Sequence, residues 1–536
     1  LKHFYPAAAL LLLAMVSVQI VSVRQESETW DEGIHLTAGY LYWKTGDLRF
    51  NSEHPPLGKY LNSIPLLFLS LRLPGGDSSD ELEYSRRFVY QNTIDARRML
   101  FAGRAVTIAL TALFGVCLVL WTRRYFGSGV ALFSLALFAF DPNLIAHGRY
   151  VTSDLLAAFT IFLACTIWAE YLISGRTLWL VLSGVSVGLA IGSKFSGLIV
   201  IPIFLATYVL NWRGIRPLLA ACAIAALVIV VLYAPEARAF LPGIRIFDPA
   251  IDPARHAIHA ESLLGRVLLK ISNWLALGRN SFFEGLTAVA SKNEGGHDAY
   301  LLGKQSKTGW WYYFPIVFLV KSPMGLLLGV ILSGWVALRA SGLISKLRAS
   351  IPWQVLILPP VIYFAACIAS GINLGVRHLL PVYPFLCVLI AATLWPRNRV
   401  AMAVVTVLVA VESCAIFPYY LAFFNAASGG PLNGPRYLVD SNIDWGQDLP
   451  RLKTYLDRHG EKSVCLAYFG SALPDQYGIE FAGPPEPGRD CLGAVSVTAL
   501  MGVYLRDDPY AWLRQRTPLA NIGYSIYVYD LRTISR

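Results

Sequence analysis

Asp31, Glu32, His54, Lys59, Arg149, Asp154, Lys194, Arg377 and His378 each fall at or near the same end of a long apolar run. Acids and bases gathered along one face of a membrane suit chemistry on a lipid headgroup, because the headgroup lies at that depth. Pumps and carriers instead keep their ionisable groups near the bilayer midplane, in broken helices. Transfer of a sugar to a hydroxyl needs a carboxylate beside the attacking oxygen, whose proton must leave as the bond forms. Asp31, in TWDEGIHLTAGYLYW (29–43), is well placed for that role. The pair Asp31 and Glu32 would equally suit the first turn of a helix, where acids are favoured.

The remaining candidates each carry two readings. An arginine can grip a phosphate through two parallel hydrogen bonds, which makes Arg149 in AHGRYVTSDLLAAF (146–159) a phosphate ligand in a short outer loop. Asp154, five residues on, could orient that arginine, bind a metal or cap the next helix. Lys194 in GLAIGSKFSGLIVIP (188–202) sits between two apolar runs. It needs an anion or a water-filled cavity unless it only anchors the membrane boundary. Arg377 and His378 in GINLGVRHLLPVYPF (371–385) open a helix, and a helix N-terminus suits a phosphate; an interface anchor is the plainer alternative. NSEHPPLGKYLNSIP (51–65) brings His54 and Lys59, but prolines are ordinary at a helix start and a lone lysine there often snorkels. The aromatic run GWWYYFP (309–315) is explained by the interfacial belt. No His/Cys cluster calls for a metal and no cofactor is required; a divalent metal at Asp154 is the one opening for such an ion.

These residues need a frame. The chain has 536 residues, 55% hydrophobic and only 15% charged, and a soluble chain of this length would carry more charge. Its apolar residues come in blocks such as PLLAACAIAALVIVVLY (217–233), long enough to span a bilayer as helices. About eleven spans follow: 5–23, 101–121, 127–141, 153–172, 178–192, 196–211, 217–234, 312–337, 353–370, 378–395 and 399–421. The first block is long for the core of a signal peptide and lacks a clear small-x-small site, so it reads as a retained helix. With the N-terminus inside, Arg123, Arg124, Arg176, Arg213, Arg216, Arg339, Lys346, Arg348, Arg397 and Arg399 all fall inside, which reads 178–211 as two helices rather than one. The net charge of +11 is spent on that orientation, and no nucleic-acid partner is expected. Segment 55–72, with its leading prolines, reads as a helix lying in the outer interface.

Residues 437–536 differ in composition. RLKTYLDRHG (451–460) reads as an amphipathic helix ending at a glycine. SVCLAYFG, GAVSVTALM and GYSIYVYDL read as strands. The expected architecture is thus an all-α polytopic membrane domain (1–423, with outer loops 24–100 and 235–311) followed by a small extracytoplasmic α/β domain (424–536). Six of the eight cysteines lie in apolar blocks and behave as small hydrophobes. Cys465 and Cys491 lie in the polar region and could pair if it faces an oxidising compartment.

Taken in order, WDEGIH, HPPLGKYL, GRYVTSDLLAAF and GLAIGSKFSGL resemble the protein O-mannosyltransferase family (glycosyltransferase family 39) and its bacterial relatives of the GT-C fold. The resemblance is close over 1–235 and looser over 310–420. It implies a polyprenyl- or dolichyl-phosphate-linked sugar donor, Asp31 as general base with Glu32 supporting it, and Arg149 as a donor-phosphate or active-site residue. Lys194 and Arg377 are additions from the physical reading. The 235–311 loop is too short for the β-trefoil domain of the eukaryotic members, and VDSNIDWGQDLPRLKTYL (439–456) looks like a bacterial subgroup. The expectation is an inverting glycosyltransferase in a bacterial inner membrane, its site facing the periplasm. It would move a sugar, mannose in the family's own case, to a hydroxyl of a protein Ser/Thr or a glycolipid. The alternative is a transporter or flippase of a lipid-linked substrate.

Overall fold

The structure, a computed structural model, describes residues 3–76, 80–211, 214–236, 281–339 and 350–533. Arg213, Lys346, Arg348 and most of the 235–311 loop lie outside the described residues. The first eleven helices are α1 Phe4–Val23, α2 Glu32–Thr45, α3 Leu57–Ser63, α4 Glu81–Tyr90, α5 Ala96–Phe126, α6 Ser128–Phe140, α7 Pro142–His147, α8 Asp154–Ser174, α9 Thr177–Ser193, α10 Val200–Leu210 and α11 Arg216–Tyr233. Further helices run Ser281–Gly295, Tyr313–Lys321, Met324–Arg339, Ile351–Ile368, Tyr383–Leu394 and Arg399–Ile416.

Every apolar run expected to span forms helix. Among the described residues seven helical stretches are long and apolar enough to cross a membrane. An eighth counts if Tyr313–Lys321 and Met324–Arg339, bent by 113°, are one broken span. Pro323 lies at that break and has no N–H to continue a helix. Ser128–Phe140, Thr177–Ser193 and Phe195–Leu210 are shorter apolar helices. The 178–211 region is indeed two helices. They part at Lys194, whose backbone is extended with φ −159° and ψ 142°. The 55–72 segment forms α3 and a 3₁₀ turn, Ile64–Phe68. It crosses α2 in backbone contact, since a Cβ on Gly39 would lie 2.1 Å from the carbonyl oxygen of Lys59.

Outside the helices, a small hairpin pairs β1 Ala299–Leu301 with β2 Lys304–Ser306. The C-terminal region holds β3 Ser463–Ala467, β4 Glu480–Phe481, β5 Leu492–Ser496, β6 Ala520–Ile522 and β7 Ile526–Asp530, in the order β4-β3-β5-β7-β6. β4 and β5 lie parallel to β3, while β7 runs antiparallel to β5 and β6. Helix Leu449–Arg458 lays Leu449, Leu452 and Leu456 on this sheet. The chain passes Gly460 at φ +68°, the left-handed conformation that ends a helix cheaply in glycine. One expectation fails locally: GAVSVTALM is strand only to Ser496, and Val497–Leu500 turns into a helix. Cys465 and Cys491 form a disulfide, with Cα atoms 6.0 Å apart.

The C-terminal region is tied to the first outer loop by backbone pairing. Ser27 N–H donates to Gln447 O at 2.9 Å and Trp30 N–H to Trp445 O at 3.0 Å. The WGQ of the 439–456 motif therefore holds the residues that lead into Asp31.

Candidate active site

A cavity of about 930 Å³ opens where the ends of α2, α8 and α9 meet Val376–Val382, helix Ser281–Gly295 and the C-terminal sheet. Asp31, His54, Asp154, Lys194, Arg377 and His378 all line it. Asp31 precedes α2 but makes no capping hydrogen bond. Its carboxylate accepts instead from Arg377 Nη1 at 2.9 Å. Asp154, in the first turn of α8, accepts from Lys194 Nζ at 2.5 Å and lies 4.0 Å from Arg377 Nη1. Arg377 thus stands between two carboxylates. Its guanidinium covers the ring of Trp445 at 4.7 Å, and its Nε has no partner.

Local sequence explains the placement of Arg377. Gly375 sits at φ +106°, and a Cβ there would meet the side chain of Asn442 at 2.4 Å. Asn442 Oδ1 accepts from Val376 N–H at 3.0 Å, and Ser441 Oγ donates to Leu374 O at 2.8 Å. The arginine loop is therefore pinned by the DSN of the 439–456 motif. The break at Lys194 has the same effect on the other side, directing the lysine across to Asp154.

Three expected site residues are not brought to the cavity. Glu32, one residue from Asp31, points the other way because successive helical residues diverge by about 100°. It is fully buried, receives Arg104 Nε at 2.8 Å and Nη2 at 2.6 Å, and accepts from the backbone N–H of Thr29 and Val151. Burial pushes its pKa up, but Arg104 and these hydrogen bonds outweigh that and lower it. Glu32 does not line the cavity. Arg149 is 0% exposed rather than in an open loop: it pairs with Glu26 at 2.9 Å, donates to Ser22 Oγ and Tyr150 Oη, and covers the Tyr420 ring. With a carboxylate already in its fork, it is not placed to take a donor phosphate. Lys59 is buried too, donating to the carbonyls of Asn51 and His54 and to Tyr42 Oη. Burial lowers its pKa to about 7, and it ties the first loop together rather than lining the site.

Sequence reasoning passed over His35, Trp30, Asp440, Trp445, Phe469 and Tyr504, all of which line the cavity. His35 Nδ1 lies 3.1 Å from Val151 O, which makes Nδ1 the protonated nitrogen, and burial lowers its pKa to about 4. Its ring meets that of His54 edge-on at 5.3 Å. Burial likewise holds His54 well below the usual imidazole range. The WDEGIH stretch carried a signal for His35, four residues after Asp31 and so on the same helical face. Phe469 and Tyr504 follow strands and carried none. Among the described residues no group of three His, Cys, Asp or Glu is arranged to hold a metal ion, so Asp154 has a lysine and an arginine as its charged neighbours.

Residues 8–234 match the family model described as dolichyl-phosphate-mannose-protein mannosyltransferase. This bears out the resemblance drawn from the four motifs, and with it the reading of the chain as a lipid-phosphate-sugar glycosyltransferase embedded in a membrane. The matched stretch carries Asp31, Asp154 and Lys194 but not Arg377 or the C-terminal wall. Among solved structures, ArnT from Cupriavidus metallidurans, bound to undecaprenyl phosphate, is similar at 14% identity over 98% of both chains, with a TM-score of 0.48. The archaeal oligosaccharyltransferase AglB from Archaeoglobus fulgidus, in complex with an inhibitory peptide and a dolichol-phosphate, is similar at 13% identity. That alignment covers 77% of this chain and 58% of AglB, with a TM-score of 0.45. No curated protein matches the sequence.

Proposed function

We propose that the chain is an inverting glycosyltransferase that moves a sugar from a polyprenyl- or dolichyl-phosphate carrier to a hydroxyl acceptor. The observation that carries the reading is the meeting of two carboxylates, Asp31 and Asp154, with two cations, Arg377 and Lys194, in a single cavity at the ends of apolar helices. The donor phosphate takes over the guanidinium of Arg377, and Asp31 is freed for the acceptor. Asp31 removes the acceptor proton, and the oxygen bonds to the anomeric carbon from the face opposite the phosphate. The bond from that carbon to the phosphate oxygen breaks, and its electron pair leaves on the phosphate. Arg377 and Lys194 stabilise that charge as it grows, the electrostatic contribution of an oxyanion hole. Asp154 positions both cations. Since a phosphate monoester anion leaves readily, no general acid and no metal are needed.

Two features support an outward-facing site. The positive-inside rule places Arg123, Arg124, Arg176, Arg397 and Arg399 in the cytoplasm, and the cavity residues fall at the opposite ends of those spans. The disulfide Cys465–Cys491 also suits an oxidising compartment. In a bacterium these features correspond to the inner membrane and the periplasm. The test is product analysis after incubating purified protein with defined polyprenyl-phosphate hexoses, mannose first, and candidate protein and glycolipid acceptors. A product of inverted anomeric configuration is expected. Retained configuration, or donor moved across the bilayer intact, would refute the reading.

A further inference from the structure

The cavity has a second wall that the proton and phosphate chemistry does not use. Trp30 and Phe469 stack with centroids 5.1 Å apart and planes 14° from parallel. Phe469 and Tyr504 continue the row at 5.7 Å and 14°. The row begins at the residue before Asp31 and runs into the C-terminal domain. It is open to the cavity, with Tyr504 40% exposed.

Two further observations mark this wall as built for a ligand. Tyr504 and Asp440 sit at φ +64° and +58°, and Tyr504 Oη donates to Asp440 Oδ2 at 2.7 Å. A bulky side chain in the left-handed region is a true outlier, and such conformations persist where the surroundings enforce them, often at ligand sites. The topology agrees. Phe469 follows the carboxyl end of β3, and Tyr504 lies beyond the short helix Val497–Leu500 that leaves the carboxyl end of β5; β3 and β5 are parallel neighbours, with β4 on the far side of β3. Open parallel sheets bind ligands outside the carboxyl ends of strands where the strand order reverses.

We propose that this row of rings is the acceptor subsite and that the acceptor presents a pyranose ring to it. This rests on the reading of Asp31 as the base, since the acceptor oxygen must then lie beside Trp30. One face of a pyranose is a patch of C–H bonds that lies flat on an aromatic ring. Its rim of hydroxyls needs polar partners, and Asp440, Asn293 and His297 share the cavity with the rings. A peptide that binds by adding a strand needs a free sheet edge, whereas the edges of this sheet are β4 and β6 and the cavity lies beyond the end of β3.

The test uses the full chain in lipid nanodiscs, with saturation-transfer NMR against methyl mannoside, glucoside and galactoside and, in parallel, a Ser/Thr-rich peptide. Saturation is expected on the pyranoside C–H protons. It should fall about tenfold in Phe469→Ala and Tyr504→Gly and stay within about twofold in Tyr504→Phe, which keeps the ring. Tyr504→Gly removes the ring at a backbone angle that glycine adopts freely, so its loss of signal is not a failure to fold. Saturation of pyranosides that ignores both ring deletions would overturn the proposal. So would ring-dependent saturation of the peptide with none on any pyranoside. Hydrolysis of a polyprenyl-phosphate sugar by water is followed in the parent protein alone, as the separate test of glycosyl transfer. If the parent never cleaves the donor, the glycosyl-transfer reading falls on that result alone, and pyranoside binding is judged by the rings.

Discussion

Two sets of carboxylate–cation pairs lie side by side and do opposite things. Beneath the first outer loop, Glu32–Arg104 and Glu26–Arg149 are sealed: their side chains are 0%, 4%, 1% and 0% exposed. Arg104 also donates to the carbonyls of Val23, Glu26 and Ser27. In the cavity, Asp31–Arg377 is 22% and 14% exposed, and the arginine keeps an unpartnered Nε. Both sets pair a carboxylate with a cation. A sealed pair is shut away from any ligand and serves the fold, whereas a pair open to the cavity can exchange its carboxylate for a phosphate. Burial, rather than charge or sequence neighbourhood, separates scaffold from site.

The comparison breaks first if the sealed pairs prove dispensable. Arg149→Ala leaves the buried Glu26 with the Tyr150 hydroxyl at 2.9 Å and the more distant cation of Arg451 at 3.8 Å, and removing one partner of a buried pair costs about 3–5 kcal/mol. Thermal unfolding in detergent should show that loss for Arg149→Ala and Glu26→Gln, and a much smaller one for Arg377→Ala. Normal stability with selective loss of donor binding in Arg149→Ala would put Arg149 back in the site.

A sealed carboxylate without a cation sharpens the contrast. Glu28 accepts from Tyr90 Oη at 2.5 Å, and burial raises its pKa to about 7. The folded state therefore holds a proton that the unfolded chain releases near the ordinary value of 4.5. Its contribution to stability is present at low pH and is lost as pH rises from about 4.5 to 7, a change of up to ~3 kcal/mol. Unfolding followed across that window should show the slope in the parent and a flatter line in Glu28→Gln. Identical slopes would mean that Glu28 does not hold its proton.

In the cavity the expected effect falls on the donor. Losing a charge-assisted phosphate contact costs roughly 1.5–3 kcal/mol, so Arg377→Ala should weaken polyprenyl-phosphate binding by about 10- to 150-fold. Arg377→Lys keeps the charge but not the fork and should recover only part of it. Lys194→Ala should lose less, because a single ammonium gives one point of contact.

Much of this architecture was legible in the sequence, and the limits are physical. Each apolar run is helical because a chain in lipid must satisfy its own backbone, and the break at Lys194 followed from the side on which basic residues must fall. Asp31, Asp154, Lys194 and Arg377 were legible as charges at helix ends. What set Glu32 and Arg149 apart was not: their partners lie 72 and 123 residues away in the chain, and spacing says nothing about such distant pairing. Trp30, Phe469 and Tyr504 form one row only after the fold brings together the first outer loop, the end of β3 and the segment beyond helix Val497–Leu500, and aromatic residues at those positions otherwise look like ordinary core.

The most direct test of the central claim is the turnover of a polyprenyl-phosphate sugar by Asp31→Asn at equal expression and equal donor binding. The amide keeps the size and shape of the carboxylate but cannot take the acceptor proton. Turnover should fall by about 100-fold or more, while the protein stays folded and donor affinity stays within a few-fold of the parent. Near-parent turnover by Asp31→Asn would contradict the assignment of Asp31 as the base and, with it, the account of the site.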